Sequence, residues 1–472
     1  MVELREPLDE LIRGPRTFTK GLAFPDPSKI FLYDDTLRDG EQMPGVAFSP
    51  AQKLSLCSLL AQMGIDVMDV AFPVSSAADR EALTEILKAQ LTGRIPATVD
   101  ILAMCRATKA DIDCVLECAA RAGAKPDQVS VLILSTMSDL HLKYKLGRTL
   151  LKRAGRPESE WLDTPVAFYR EANISLITEA VSYARSRGLT RVEFAAEDAS
   201  RGDLAYGIEW ARACVAAGGT RFCFSDSCGV FTPEGVDHYF PPIIEALKVR
   251  QGGCQLTAHL HNDFGLGALN TVRAVMHGAT HPSLTANAIG ERAGNTGIHQ
   301  FVMVLKELYG VTLPRFQYHR LRELRQAVEA ASGVPIMQHE PIIGEGVFTH
   351  ESGIHTAGIL VHPAIYQFIR EEEVGGRRRF VFGKHSGAGA VEEVLKTHAG
   401  ELEAQGVLVD DGMVARLLDR VKEDRAKMIE SGHAAEAIAG HYASMARLGI
   451  GEEQLVQLAL ALNAEDRSKR KG

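Results

Sequence analysis

The chain has 472 residues, 46% hydrophobic and 24% charged, with a formal net charge of −8. This is ordinary globular composition, long enough for two or three structural units. Its only basic clusters are Arg377-Arg378-Arg379 and the last few residues, which argues against nucleic acid as a partner. No apolar run reaches membrane-spanning length, and the start Met1-Val2-Glu3-Leu4-Arg5-Glu6 is polar where a signal peptide is cationic and then apolar. The expected location is cytoplasmic, with no membrane partner. The eight cysteines, Cys114/Cys118 and Cys223/Cys228 among them, form no paired C-x2-C spacing and read as reduced, mostly buried thiols.

In chain order, eight short β-branched or apolar runs alternate with longer helical patterns. The runs cover residues 31–37, 67–73, 97–104, 128–134, 191–197, 221–227, 255–263 and 284–291, with helical stretches such as 50–63 and 233–249 between them. Eight repeats in this span fit a closed parallel barrel better than an open doubly wound sheet. No G-x-G-x-x-G follows the first strand, which disfavours a dinucleotide-binding fold. The fold class read from the sequence is therefore α/β, a (β/α)8 TIM barrel followed by small, mostly helical C-terminal subdomains. The expected boundaries are an extension at 1–28, the barrel at 29–312, a linker and subdomain at 313–395, and a helical subdomain at 396–472, with amphipathic helices near 410–429 and 452–462.

Active sites on such barrels lie at the C-terminal strand ends, and polar residues gather there. The first strand runs into Asp35-Thr36-Leu37-Arg38-Asp39-Gly40-Glu41-Gln42, the fifth into Glu197-Asp198 and the sixth into Asp226-Ser227. The seventh ends in His259-Leu260-His261-Asn262-Asp263 and the eighth in Glu291-Arg292-Ala293-Gly294-Asn295. His259 and His261, two apart on a strand, point to one face and can present two imidazoles to one divalent ion. An H-x-H pair alone is as readily structural as ligating.

The blocks DDTLRDGEQMPGVAFSP, DVAFPVSS, SDLHLKYKLGRT, AHLHNDFGLGALNT, NAIGERAGNT, HESGIHTAGIL and FGKHSG make the chain resemble the isopropylmalate/homocitrate/citramalate synthases, within the wider group that includes hydroxymethylglutaryl-CoA lyase. The resemblance runs from about residue 31 to 387. It implies a divalent metal (Zn, Mn or Mg) held by Asp39, His259 and His261 with Asn295 near the remaining positions, and acetyl-CoA as co-substrate. Arg38 would face the same site as a fixed cation beside the ketone oxygen, or simply pair with Asp39 or Asp35. Gln42, Asp69, His141 and Ser227 are the expected substrate-side residues. Asp69 stands where the family usually has glutamate to orient the arginine, a role Glu197 would otherwise take, and Ser227 stands where it commonly has threonine. His355 is the expected base for the acyl-CoA methyl, with Tyr366 and Glu197 as weaker candidates for the proton relay. By resemblance, the segment carrying His355 docks on the barrel of a partner, so a homodimer with His355 acting in trans is implied.

The implied reaction is a Claisen condensation of an acyl-CoA with a 2-oxo acid, followed by thioester hydrolysis. The region 138–144 looks like the isopropylmalate-synthase version and lacks an arginine for a distal carboxylate, which favours 2-oxoisovalerate, unless Lys143 or Arg148 serves an acidic substrate. The region after 388 is too short for a leucine-type regulatory domain, a truncation typical of homocitrate-type and specialised-pathway members such as a phosphonate-pathway synthase. A lyase of the hydroxymethylglutaryl-CoA type is the further alternative, against which the post-barrel blocks argue.

Overall fold

A computed structural model of the chain describes residues 5, 7–12, 14, 16–407, 410–430, 436 and 440. Eight strands form a closed, all-parallel barrel in sequence order. They are β1 (Tyr33–Asp34), β2 (Val67–Ala71), β3 (Asp100–Arg106), β4 (Ser130–Thr136), β5 (Val192–Glu197), β6 (Arg221–Asp226), β7 (Gln255–Leu260) and β8 (His281–Leu284). Closure is made by β1 against β8, with Tyr33 opposite Ser283 and Asp34 opposite Leu284.

The eighth strand corrects the sequence reading. The pairing segment is His281–Leu284, whereas 284–291 turns away through a 3-10 turn at Ala286–Ala288. Pro282 sits within the true strand, and a proline argues against a central strand when only sequence is in view. The β1 ladder is also short, because Asp35 already begins the turn that carries Arg38 and Asp39.

The helices are started by their own sequence. Pro50–Met63 has Ser49 as N-cap in a reciprocal capping box with Gln52 and proline in its first turn, and it ends at Gly64 in the left-handed region. The main core fills the layer between barrel and helices, while Leu102, Met104, Leu132, Ala195 and Cys223 form a separate small cluster of buried residues. Below it in the barrel interior, buried Arg221 donates to Glu193 at 2.7 Å, and Glu193 accepts from Thr257 at 2.7 Å. The centre of the barrel is thus plugged from the N-terminal side and open only at the C-terminal ends.

After the barrel come the helix Leu321–Ser332 and a two-stranded parallel sheet, β9 (Thr349–His350) with β10 (Arg379–Phe380). The helices Gly353–Val361, Ala388–Thr397, Ala399–Ala404 and Asp411–Glu430 complete the described α-helices of this part. The helix expected at 452–462 lies outside the described residues. All eight cysteines are free, and six are buried. Among the described residues no helix is long and apolar enough to cross a membrane.

Candidate metal centre and active site

His259 and His261, neighbours on one face of β7 and its extension, bring their Nε2 atoms to 3.2 Å from each other. Asp39 Oδ2 lies 3.9 Å from both. Among the described residues, Asp39, His259 and His261 are the set of three whose ligand atoms lie close enough to share one ion. Ligands about 2.0–2.2 Å from a common ion stand roughly 3–3.5 Å apart, so the observed spacing needs little adjustment. Asn295 donates its side-chain amide to Asp39 Oδ2, and its buried Oδ1 has no hydrogen-bond partner in the chain, which leaves an oxygen donor beside the three. The chemistry of the donor set therefore fits a divalent cation.

The charges agree. Arg38 donates to Asp69 from Nε at 2.6 Å, to Asp39 from Nη1 at 2.9 Å and to Asp35 from Nη2 at 2.9 Å. One guanidinium thus serves three buried carboxylates, an excess of negative charge that a divalent ion would offset. The imbalance is visible in titration. Burial lifts Asp69 to about 8 in spite of Arg38. Burial works against the charged form of His259 too, but its hydrogen bond to Asp35 and the charges of Asp35 and Asp39 win and raise its pKa. Burial and neighbouring His259 press His261 down to about 4. For Asp35, burial is outweighed by Arg38 and His259, and the carboxyl is held well below its usual range.

Asp35 was not singled out from sequence except as a salt-bridge partner, yet it fixes the first histidine. Its Oδ2 lies 2.9 Å from His259 Nδ1, and Ser283 Oγ shares that nitrogen at 2.9 Å. The tautomer is thereby set, with Nε2 left facing Asp39 and His261. Two adjacent aspartates ending a strand, followed by an arginine and a third aspartate, were the available signal. Ser283 had none, because its strand was misplaced.

Asn295 is delivered by a loop with an uncommon backbone. Ala288 and Arg292 have positive φ, as does Gly294, where a Cβ would meet the Ala288 carbonyl oxygen at 1.9 Å. Glycine is required there. His261 and Asn295 pair in an isolated β-bridge, and strained segments of this kind collect at functional sites.

A cavity of about 130 Å³ opens above these groups. Arg38, Asp39, Gln42, Glu197, Ser225, Ser227, His259 and His261 form its polar wall, and Met104, Leu132, Leu134, Ala195 and Cys223 its apolar wall. Of the substrate-side residues, Gln42 and Ser227 line it. Ser227 Oγ also accepts from the backbone N–H of Asp198 at 2.9 Å. Asp69 is fully buried and does not line the cavity; its contact with Arg38 shows that the shorter carboxylate reaches the arginine without Glu197. His141 stands behind Glu197, 3.5 Å from it and 3.6 Å from Asp198. Glu197 is paired with Lys145, and burial, which would raise its pKa, is outweighed by His141 and Lys145, so it is held ionised. Neither Lys143 nor Arg148 lines the cavity.

His355 and Tyr366 are not brought to this cavity within one chain. They stack on each other with ring centroids 4.2 Å apart, on an exposed face with Ile354, Val361, Ile365 and Phe368.

The HMGL-like family matches residues 29–160 and 161–328, and the family of homocitrate synthase post-HMGL domains matches 342–427. A probable 2-isopropylmalate synthase of Ignicoccus hospitalis is 38% identical over 84% of this chain and 88% of its own. The chain belongs to the isopropylmalate, citramalate and homocitrate synthase family. Other relatives within it are a putative (R)-citramalate synthase of Methanopyrus kandleri, 37% identical over 85% of this chain and 70% of its own, and a homocitrate synthase of Methanothermobacter thermautotrophicus, 34% identical over 86% and 91%. Membership accounts for the match continuing past the barrel, through the segment of β9, β10 and the His355 helix. The chain is thus an enzyme of the acetyl-CoA-condensing synthase type, while its relatives are named for different products, 2-isopropylmalate, (R)-citramalate and homocitrate.

Proposed function

We propose that this synthase condenses acetyl-CoA with a 2-oxo acid, 2-oxoisovalerate first, and hydrolyses the thioester to release CoA and a 2-alkylmalate such as 2-isopropylmalate. The observation that carries the reading is the arrangement of the cavity: Asp39, His259 and His261 converge at one side with Arg38, and an apolar wall of Leu132, Leu134, Met104 and Ala195 faces them.

When bound, a divalent ion held by Asp39, His259 and His261 supplies Lewis-acid polarisation of the ketone. Arg38, locked by three carboxylates, presents a fixed positive charge where negative charge grows on the ketone oxygen. Gln42 and Ser227 offer hydrogen bonds to the oxo acid's carboxylate. The apolar wall receives the side chain, and a distal carboxylate there would be buried without a cation. His355 of a second copy takes the proton from the acyl methyl as the carbon–carbon bond forms, a role suited to imidazole near neutral pH, with Tyr366 stacked on it. The exposed apolar face around His355 supports a dimeric enzyme in which each subdomain covers the other's barrel. Glu197, ionised at the rim, accepts or relays a proton during hydrolysis. Its functional setting is the cytoplasm and amino-acid-type biosynthesis.

A second reading, with an acidic oxo acid as in homocitrate or phosphonomethylmalate synthesis, is favoured by Lys145, which reaches the cavity wall at Glu197. It requires Lys145 to leave that carboxylate.

The test is release of free CoA thiol from acetyl-CoA with added Zn²⁺, Mn²⁺ or Mg²⁺ across 2-oxoisovalerate, 2-oxoglutarate, pyruvate, oxaloacetate and phosphonopyruvate. The expected result is the highest kcat/KM with 2-oxoisovalerate. Preference for a dicarboxylic or phosphonic acid would replace the first reading by the second, and no thiol release with any acid would sink both.

A further inference from the structure

The cavity, about 130 Å³, holds an oxo acid and an acyl end but not a whole CoA, since sites that engulf larger ligands run to several hundred Å³. Most of the CoA must therefore lie across the rim. This inference rests on the acyl-CoA reading above.

Of the eight connections from a strand to the helix that returns along the barrel, the one after β4 is the longest, residues 137–165 against 35–49 for the next. It leaves the C-terminal end of its strand, the end at which barrels of this kind carry their functional segments. It is built, not loose: a helix Asp139–Tyr144, a helix Gly147–Arg153 and a 3-10 turn Glu158–Trp161 lead to the helix Val166–Ser186. It adjoins the cavity directly, because Lys145 pairs with the cavity residue Glu197.

Its outer surface is aromatic and cationic. Tyr144 is 61% exposed and meets Trp161 edge to face at 5.5 Å, while the Arg148 guanidinium lies over the Trp161 ring at 5.1 Å. Three other basic groups of the segment are taken up in ion pairs, Lys145 with Glu197, Arg153 with Glu179 and Arg156 with Glu160, whereas Lys152, in the helix Gly147–Arg153, makes none among the described residues. Elsewhere on the rim Arg201 is paired with Asp198 and Arg292 with Asp263. Arg148 and Lys143 make no ion pair among the described residues, so their charge is available to an anion. An open aromatic face beside two cations without a carboxylate partner, in a chain of net charge −8, matches a purine base carrying phosphates.

We propose that the 137–165 segment is the binding platform for the adenosine 3′-phosphate 5′-diphosphate end of the acyl-CoA, with the base stacked on Tyr144 and the phosphates met by Arg148 and Lys143.

Two measurements test it. Trp161 is one of two tryptophans, and the other, Trp210, is fully buried against Phe194, so emission changes at the rim report Trp161. Adenosine 3′,5′-bisphosphate is expected to change the emission saturably in the full-length protein. The change is expected to vanish in Trp161→Phe and to need about tenfold more ligand in the surface variants Arg148→Gln and Tyr144→Ala. In turnover, the ratio of kcat/KM for acetyl-CoA to that for the acetyl N-acetylcysteamine thioester, which lacks the nucleotide, should fall about tenfold in the same two variants. Nucleotide binding without any condensation would uphold the platform and remove the condensation reading. Condensation with no nucleotide-dependent emission change, and an unaltered ratio in both variants, would overturn the platform alone.

Discussion

Oδ2 of Asp35 lies 2.9 Å from Nδ1 of His259, turning the ring so that Nε2 faces Asp39 and His261. A carboxylate behind a ligating histidine typically carries 10–100-fold in metal affinity. Asp35→Asn is therefore expected to weaken divalent-metal binding by about that factor while leaving the far-ultraviolet spectrum intact. Chelator competition measures it, and unchanged affinity would show that the contact does not position the ring.

Metal affinity should depend on pH through His259. In the metal-free protein its pKa is raised and that of His261 is about 4, so of the two imidazoles His259 is the one that holds its proton to the higher pH and from which a metal must displace it. Binding is then strongest above the His259 pKa and falls as pH drops through it, about tenfold per unit for one displaced proton. His261 adds a second proton only towards pH 4. Dissociation constants for Zn²⁺ or Mn²⁺ over roughly pH 5.5–8.5 decide the matter, and a flat profile contradicts it.

Arg38→Lys should be severe although the charge is kept. Three separate nitrogens contact three carboxylates, and one ammonium cannot hold that fork. A loss of roughly 10²–10³ in kcat is expected, with a lower Tm from carboxylates left unpaired in the barrel. Near-normal turnover would remove Arg38 from the mechanism.

Lys53 bears on stability and not on catalysis. It is 1% exposed and pairs with Glu41 at 2.6 Å and Asp79 at 2.7 Å, tying the helix Pro50–Met63 to the turn that follows Asp39. Lys53→Met leaves both acids without their cation, and a loss of about 3 kcal/mol is expected in chemical denaturation. A loss under about 1 kcal/mol, the level of an exposed pair, would mean that water reaches the acids.

Some of the site was legible because chemistry and position coincide in short stretches. Arg38 and Asp39 are adjacent, and His259 and His261 share a strand face by the two-residue period. Asn295, by contrast, is delivered by a loop whose left-handed residues are not marked by glycine at Ala288 or Arg292. The eighth strand, expected at 284–291, lies instead at His281–Leu284, where Pro282 argues locally against a central strand and barrel closure against Tyr33 enforces one. Nothing local to Lys53 indicates that Glu41 and Asp79 close over it.

By itself the sequence determined the alternation of strands and helices, hence the barrel, and the residue types that gather at its C-terminal end, since these follow from local periodicity and from motifs a few residues long. Only the tertiary structure decided which carboxylate meets which cation: Asp35 and Ser283 on His259, Asp69 on Arg38, and an apolar wall drawn from β3, β4, β5 and β6 facing the ligands. Those contacts join strands far apart in the chain, and their energies depend on burial and on closure of the barrel, which no local pattern records.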